Sequence, residues 1–109
     1  MLCFERRGRR LIAYIEGELD HDSTAIIRAE IDNQLRDHSI NDLVIDMAGV
    51  SFMDSSGIGL ILGRYRIMAA RGGEIHISRP GKRTDKMLML AGVYELVNTS
   101  SNGGKYGNI

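Results

Sequence analysis

The chain reads as an α/β domain, with a mixed, mostly parallel sheet, an antiparallel N-terminal edge strand and three to four helices. Short apolar runs rich in β-branched residues alternate with segments whose apolar residues recur at helical spacing. Gly, Asn or Asp bounds most of these segments. The first two runs flank Gly8 and read as a hairpin, so the later alternation implies parallel βαβ units with right-handed crossovers.

Leu2-Cys3-Phe4 and Leu11-Ile12-Ala13-Tyr14-Ile15 are the hairpin strands, the second ending at Gly17. Asp22 or Ser23 offers an N-cap to a helix over residues 23–37. Ile27, Ile31 and Leu35 form its apolar face, and Arg28, Asp32 and Arg36 form a charge ladder on another. Leu43-Val44-Ile45-Asp46-Met47 is almost continuously apolar, as in a central strand buried on both faces. A second helix over 56–71 follows, with Ile58, Ile61, Leu62, Tyr65 and Ala69 on one face and Gly72-Gly73 as its stop.

Glu74 to Ser78 carries Ile75 and Ile77 at strand spacing, and Arg79-Pro80-Gly81 then breaks the chain. Lys82 to Ala91 reads as a third helix, and Val93 to Val97 as a last strand. One domain over 1–97 and a loose, polar, Gly-rich tail over 98–109 are therefore expected.

The 109 residues suit a single core that needs neither metal nor disulfide. The lone Cys3 excludes an internal disulfide and fits a reducing cytoplasm, where it reads as a small apolar strand residue. Lys and Arg balance Asp and Glu at 14 each, which argues against direct nucleic-acid binding. The balance is uneven along the chain: residues 1–10 carry +3, 11–54 carry −8 and 55–109 carry +5. No apolar run approaches the ~20 residues of a membrane helix, so a cytoplasmic protein without membrane contact is expected.

Ser51-Phe52-Met53-Asp54-Ser55-Ser56-Gly57-Ile58-Gly59 is the densest constellation, read as a loop running into the second helix. It fails as a hydrolase elbow, because the residue two before either serine is Met53 or Asp54 rather than Gly. Asp20, His21 and Ser55 make a poor triad, since adjacent Asp and His on one loop do not easily align carboxylate and ring. Gly57, Gly59 and Gly63 do not have dinucleotide-loop spacing and are read as letting the helix pack close to the sheet.

Two readings of the motif stay open. Asp54 or Ser55 is an ordinary N-cap, or the helix start displays a hydroxyl whose phosphate would meet free N–H groups and the positive dipole end. Gly17-Glu18-Leu19-Asp20-His21-Asp22 is a second ionisable loop, and the loops after parallel strands should gather on one edge. His21, His38 and His76 have no paired ligand spacing, so exposed or capping histidines are expected, with no metal and no cofactor. Of Ile58, Leu60 and Ile61, one is expected at the surface as a partner contact.

Gly17-Glu18-Leu19-Asp20-His21 and, more specifically, Ser51 to Arg66 (SFMDSSGIGLILGRYR), followed by Gly72-Gly73-Glu74, resemble the anti-anti-sigma factors of the STAS domain family, in particular its sporulation branch. The likeness spans about residues 10–97. It implies a non-enzymatic module that binds an anti-sigma factor, itself a serine kinase, and so frees a sigma factor for transcription. By the same resemblance, Ser55 would occupy the phosphoacceptor position, its phosphate would abolish binding, and a PP2C-type serine phosphatase would restore it. Glu18, Asp20, His21, Asp54, Ser56, Gly57 and Ile58 match the partner surface. The family closes with an amphipathic helix, for which residues 98–109 lack the apolar spacing. A non-switching STAS scaffold or nucleotide-sensing module is the alternative implied.

Overall fold

The computed structural model describes residues 1–99. Strands β1 (Leu2–Arg7), β2 (Arg10–Leu19), β3 (Asp42–Met53), β4 (Glu74–Ser78) and β5 (Asn98–Thr99) form one sheet in chain order. β1 is antiparallel to β2, and every other pairing is parallel. Helices α1 (His21–Gln34), α2 (Ser55–Ala70) and α3 (Lys82–Leu90) make the crossovers. Right-handed crossovers between sequential neighbours place all the helices on one face.

That face holds the core. Leu11, Ala13 and Ile15 of β2, Leu43, Ile45 and Met47 of β3, and Ile75 and Ile77 of β4 alternate inward against Ile27, Ile31, Ile61, Met68 and Leu88. The intervening residues point to the other face, which is laced by polar contacts rather than covered by a helix. Arg10 Nε lies 2.7 Å from Asp42, His76 Nε2 lies 2.9 Å from the same carboxylate, and Arg79 reaches Asp46 at 2.8 Å. The apolar run of β3 is thus fully buried, but only one of its faces meets helices.

Several boundaries depart from the sequence reading. α1 begins at His21 with Asp20 as N-cap, because the Asp20 carboxylate captures the Ser23 N–H and so preempts Asp22 and Ser23 as caps. It ends at Gln34 rather than at 37. The guanidinium of Arg71, one residue past α2, donates to the Leu35 and Ile40 carbonyls at 2.8 and 3.1 Å and finishes the turn. Residues 17–19 and 51–53 are strand, not loop: β2 and β3 run on past β4, through two register shifts, to meet the helices directly.

On α2 the buried positions are Gly57, Leu60, Ile61, Arg64 and Met68, so Tyr65 is only half-buried and Ala69 exposed. The apolar residues surround this helix too widely for their spacing to fix its inward face. Val93–Glu95 is a 3₁₀ turn after left-handed Gly92, and the last strand pairs at Asn98–Thr99 instead. The rest of the polar tail expected over 98–109, and the contrast with a closing helix, lie outside the described residues. Cys3 is exposed, on the β1 edge strand facing away from the core. His76 is buried at 2% exposure with Nε2 2.9 Å from the Asp42 carboxylate, contrary to the expectation of exposed or capping histidines. No helix among the described residues is long and apolar enough to cross a membrane.

Candidate partner-binding site

β2 and β3 end side by side. Glu18 stands opposite Phe52 and Leu19 opposite Met53, and the Asp54 N–H donates to the Leu19 carbonyl at 3.1 Å. Each strand then passes through one extended aspartate straight into a helix: Asp20 into α1 and Asp54 into α2. The two acidic motifs of the sequence therefore form one edge, as the parallel topology requires.

The start of α1 is closed on itself. Asp20 Oδ1 accepts the Ser23 N–H at 2.9 Å, and the Asp20 N–H donates to Ser23 Oγ at 2.9 Å, a reciprocal capping box. The Ser23 hydroxyl also donates to the Glu18 carbonyl at 2.7 Å. The hydrogen bond from the Ser23 amide, with the Ser23 side chain beside it, holds the Asp20 carboxyl below the usual carboxylate range.

The start of α2 is open by comparison. Asp54 Oδ1 accepts the Ser56 N–H at 2.8 Å, but the third helical residue is Gly57, which has no side chain to reciprocate. Ser55 is the first residue of α2 and exposed, and its hydroxyl makes no hydrogen bond among the described residues. Asp54, not Ser55, is the cap, so the serine is left for display.

Gly57 is buried beneath this start, where an added Cβ would lie 2.4 Å from Met53 Cγ and 2.6 Å from its Sδ. This residue seats the helix on the end of β3 rather than presenting a surface. Gly59 and Gly63, expected to serve the same packing, face open space. Glu18 and His21 are exposed, Asp20, Asp54, Ser56 and Ile58 half-buried, and Leu60 and Ile61 buried. The strongly exposed apolar group on this edge is Phe52, at 45%. It was hidden in the sequence inside what reads as a loop; continuing the strand alternation past Gly49 would have found it.

Of the ten acids in residues 11–54, Asp32, Asp37, Asp42 and Asp46 pair with Arg64, Arg6, Arg10 and Arg79 from outside that stretch. Glu16, Glu18, Asp20, Asp22 and Asp54 have no cationic side chain at ion-pair distance among the described residues, so negative charge concentrates where β2 and β3 end. Arg64 is another residue missed by pattern reading. It is 6% exposed between α1 and α2, with Nε 2.8 Å from Asp32 Oδ1. Burial pushes its guanidinium below the usual arginine value, against the pull of Asp32, and Arg28 pushes the same way. A cavity of about 360 Å³ lies there, reaching His21 and Ser56 at the helix starts.

Residues 3–105 match the model of the STAS domain, and the chain belongs to that family. Its relatives include the anti-sigma F factor antagonist of Paenibacillus polymyxa, 30% identical over 92 residues that cover 84% of this chain and 79% of the relative. Among solved structures, the unphosphorylated anti-sigma factor antagonist SpoIIAA superposes with a TM-score of 0.81 at 29% identity, covering 92% of this chain and 88% of that one. The Bacillus cell fate determinant SpoIIAA in its phosphorylated form gives 0.75 at 26% identity, covering 99% and 98%.

Proposed function

We propose that this chain is an anti-sigma factor antagonist, a binding module switched by phosphorylation of Ser55. The observation that carries the reading is the contrast between the two helix starts: the serine of α1 is consumed in a capping box, whereas the Ser55 hydroxyl is exposed and unengaged among the described residues. A related protein that exists in unphosphorylated and phosphorylated forms adds support.

Unmodified, the edge formed by Glu18, Asp20, His21, Asp54, Ser56 and Ile58, with Phe52 beside it, receives the anti-sigma factor, and the sigma factor is released. The unneutralised acids call for a basic partner surface, which also speeds encounter. Phosphoryl transfer needs from this chain only a positioned hydroxyl; the base and the metal belong to the kinase. The new phosphate adds about 1.5–2 negative charges beside Asp54. The α2 start tolerates it, because the positive dipole end favours an anion there. The cost falls on the complex, and a PP2C-type phosphatase resets the switch.

Incubation with an anti-sigma serine kinase and ATP should label the protein and move its isoelectric position to the acid side. Ser55→Ala should remove both effects, and Ser55→Asp should weaken the complex. Label persisting in Ser55→Ala would overturn the assignment.

A further inference from the structure

We propose that the groove between α1 and α2 is a binding site for a small organic anion, a carboxylate or phosphate group on a compact body, held between Arg28 and Arg64. This inference stands independently of the phosphorylation of Ser55.

Two observations meet in the groove. The first is Arg64, more than nine-tenths buried and yet incompletely satisfied. Its Nε lies 2.8 Å from Asp32 Oδ1 as an ion pair but makes no aligned hydrogen bond, and its Nη1 reaches the Leu60 carbonyl only at 3.5 Å. Arg28 lines the same groove and makes no ion pair among the described residues, while Asp32 pairs with Arg64, so the groove carries one more guanidinium than paired carboxylate. A planar guanidinium with spare donors matches a carboxylate or phosphate geometrically as well as electrically.

The second is the pair Gly59 and Gly63, which also line the groove. Glycine weakens a helix interior relative to alanine. At Gly57 the proximity of Met53 explains it, but a Cβ at 59 or 63 would meet nothing within 4 Å. Packing within the described chain does not require these glycines. What they do is keep open a space of about 360 Å³, within the size range of small-molecule sites. Ser56 and His21 close its outer end with groups able to hydrogen-bond an anion.

The test is a titration of the ¹⁵N-labelled full chain with inorganic phosphate and, separately, with succinate, chloride keeping ionic strength constant. Saturable shifts of the Gly59 and Gly63 amides and of the Arg64 Nε–H are expected for at least one anion, with a dissociation constant below about 1 mM. Which anion saturates names the head group. Arg28→Gln, at an exposed position, should weaken binding at least tenfold. Gly63→Leu should fill the groove and remove saturation without lowering the melting temperature, and Ser55→Ala should leave binding unchanged. Linear shifts with both anions, or an Arg28→Gln curve identical to that of the parent, would overturn the proposal.

Discussion

The starts of α1 and α2 are assembled from the same parts: adjacent parallel strands, one extended aspartate, then a helix with serine in its first turn. They differ at the third helical residue. Ser23 in α1 accepts a hydrogen bond from the cap's N–H and donates to the Glu18 carbonyl, so its hydroxyl is consumed by the fold. Gly57 in α2 cannot, and instead admits Met53 beneath it, which brings the helix down onto β3 and leaves Ser55 outside. A serine near a helix start is structural or displayed according to one position, its distance from the cap.

Four changes break or sharpen this comparison. The largest loss of stability is expected for Gly57→Val, which forces a branched side chain into Met53 and should cost about 3 kcal/mol in urea unfolding. The double change Asp20→Ala with Ser23→Ala removes both halves of the capping box and should lower the melting temperature more than Asp54→Ala does. Asp54→Ala removes one capping bond, for about 1 kcal/mol. Ser55→Ala should change stability by less than about 0.5 kcal/mol while abolishing phosphate incorporation. Equal destabilisation by Ser55→Ala and Asp54→Ala would mean that Ser55 is part of the cap after all.

The pH dependence of the α1 start follows from Asp20. Its folded-state value lies below the unfolded one, because Ser23 donates to the carboxylate. Its stabilising contribution is therefore complete above the ordinary carboxylate range and disappears as pH falls through the lowered folded value. The stability gap between wild type and Asp20→Ala should be constant near neutrality and close on acidification, which unfolding curves at several pH values would record.

Much of the site was readable in the sequence. Asp54-Ser55-Ser56-Gly57 lies at a helix start because its composition says so, and its proximity to Glu18 and Asp20 follows from parallel topology alone. What escaped were features that depend on partners distant in sequence. Phe52 looked like loop until pairing with β2 extended β3 to Met53. Arg64, in a run of alternating small and apolar residues, gave no sign that Asp32 would receive it. His76 looked like an isolated histidine, and only the sheet register sets it beside Asp42.

The charge distribution separates the two levels most clearly. By itself the sequence determined a neutral chain with an acidic stretch over residues 11–54 and the order of strands and helices. Only the tertiary structure decided which of those acids matter at a surface. Folding carried arginines from β1, β2, α2 and the turn after β4 to Asp37, Asp42, Asp32 and Asp46, and left the acids at the strand ends without cationic partners among the described residues. The reason is geometric: a charge is neutralised by whatever lies within a few ångströms, and separation along the chain does not set that distance.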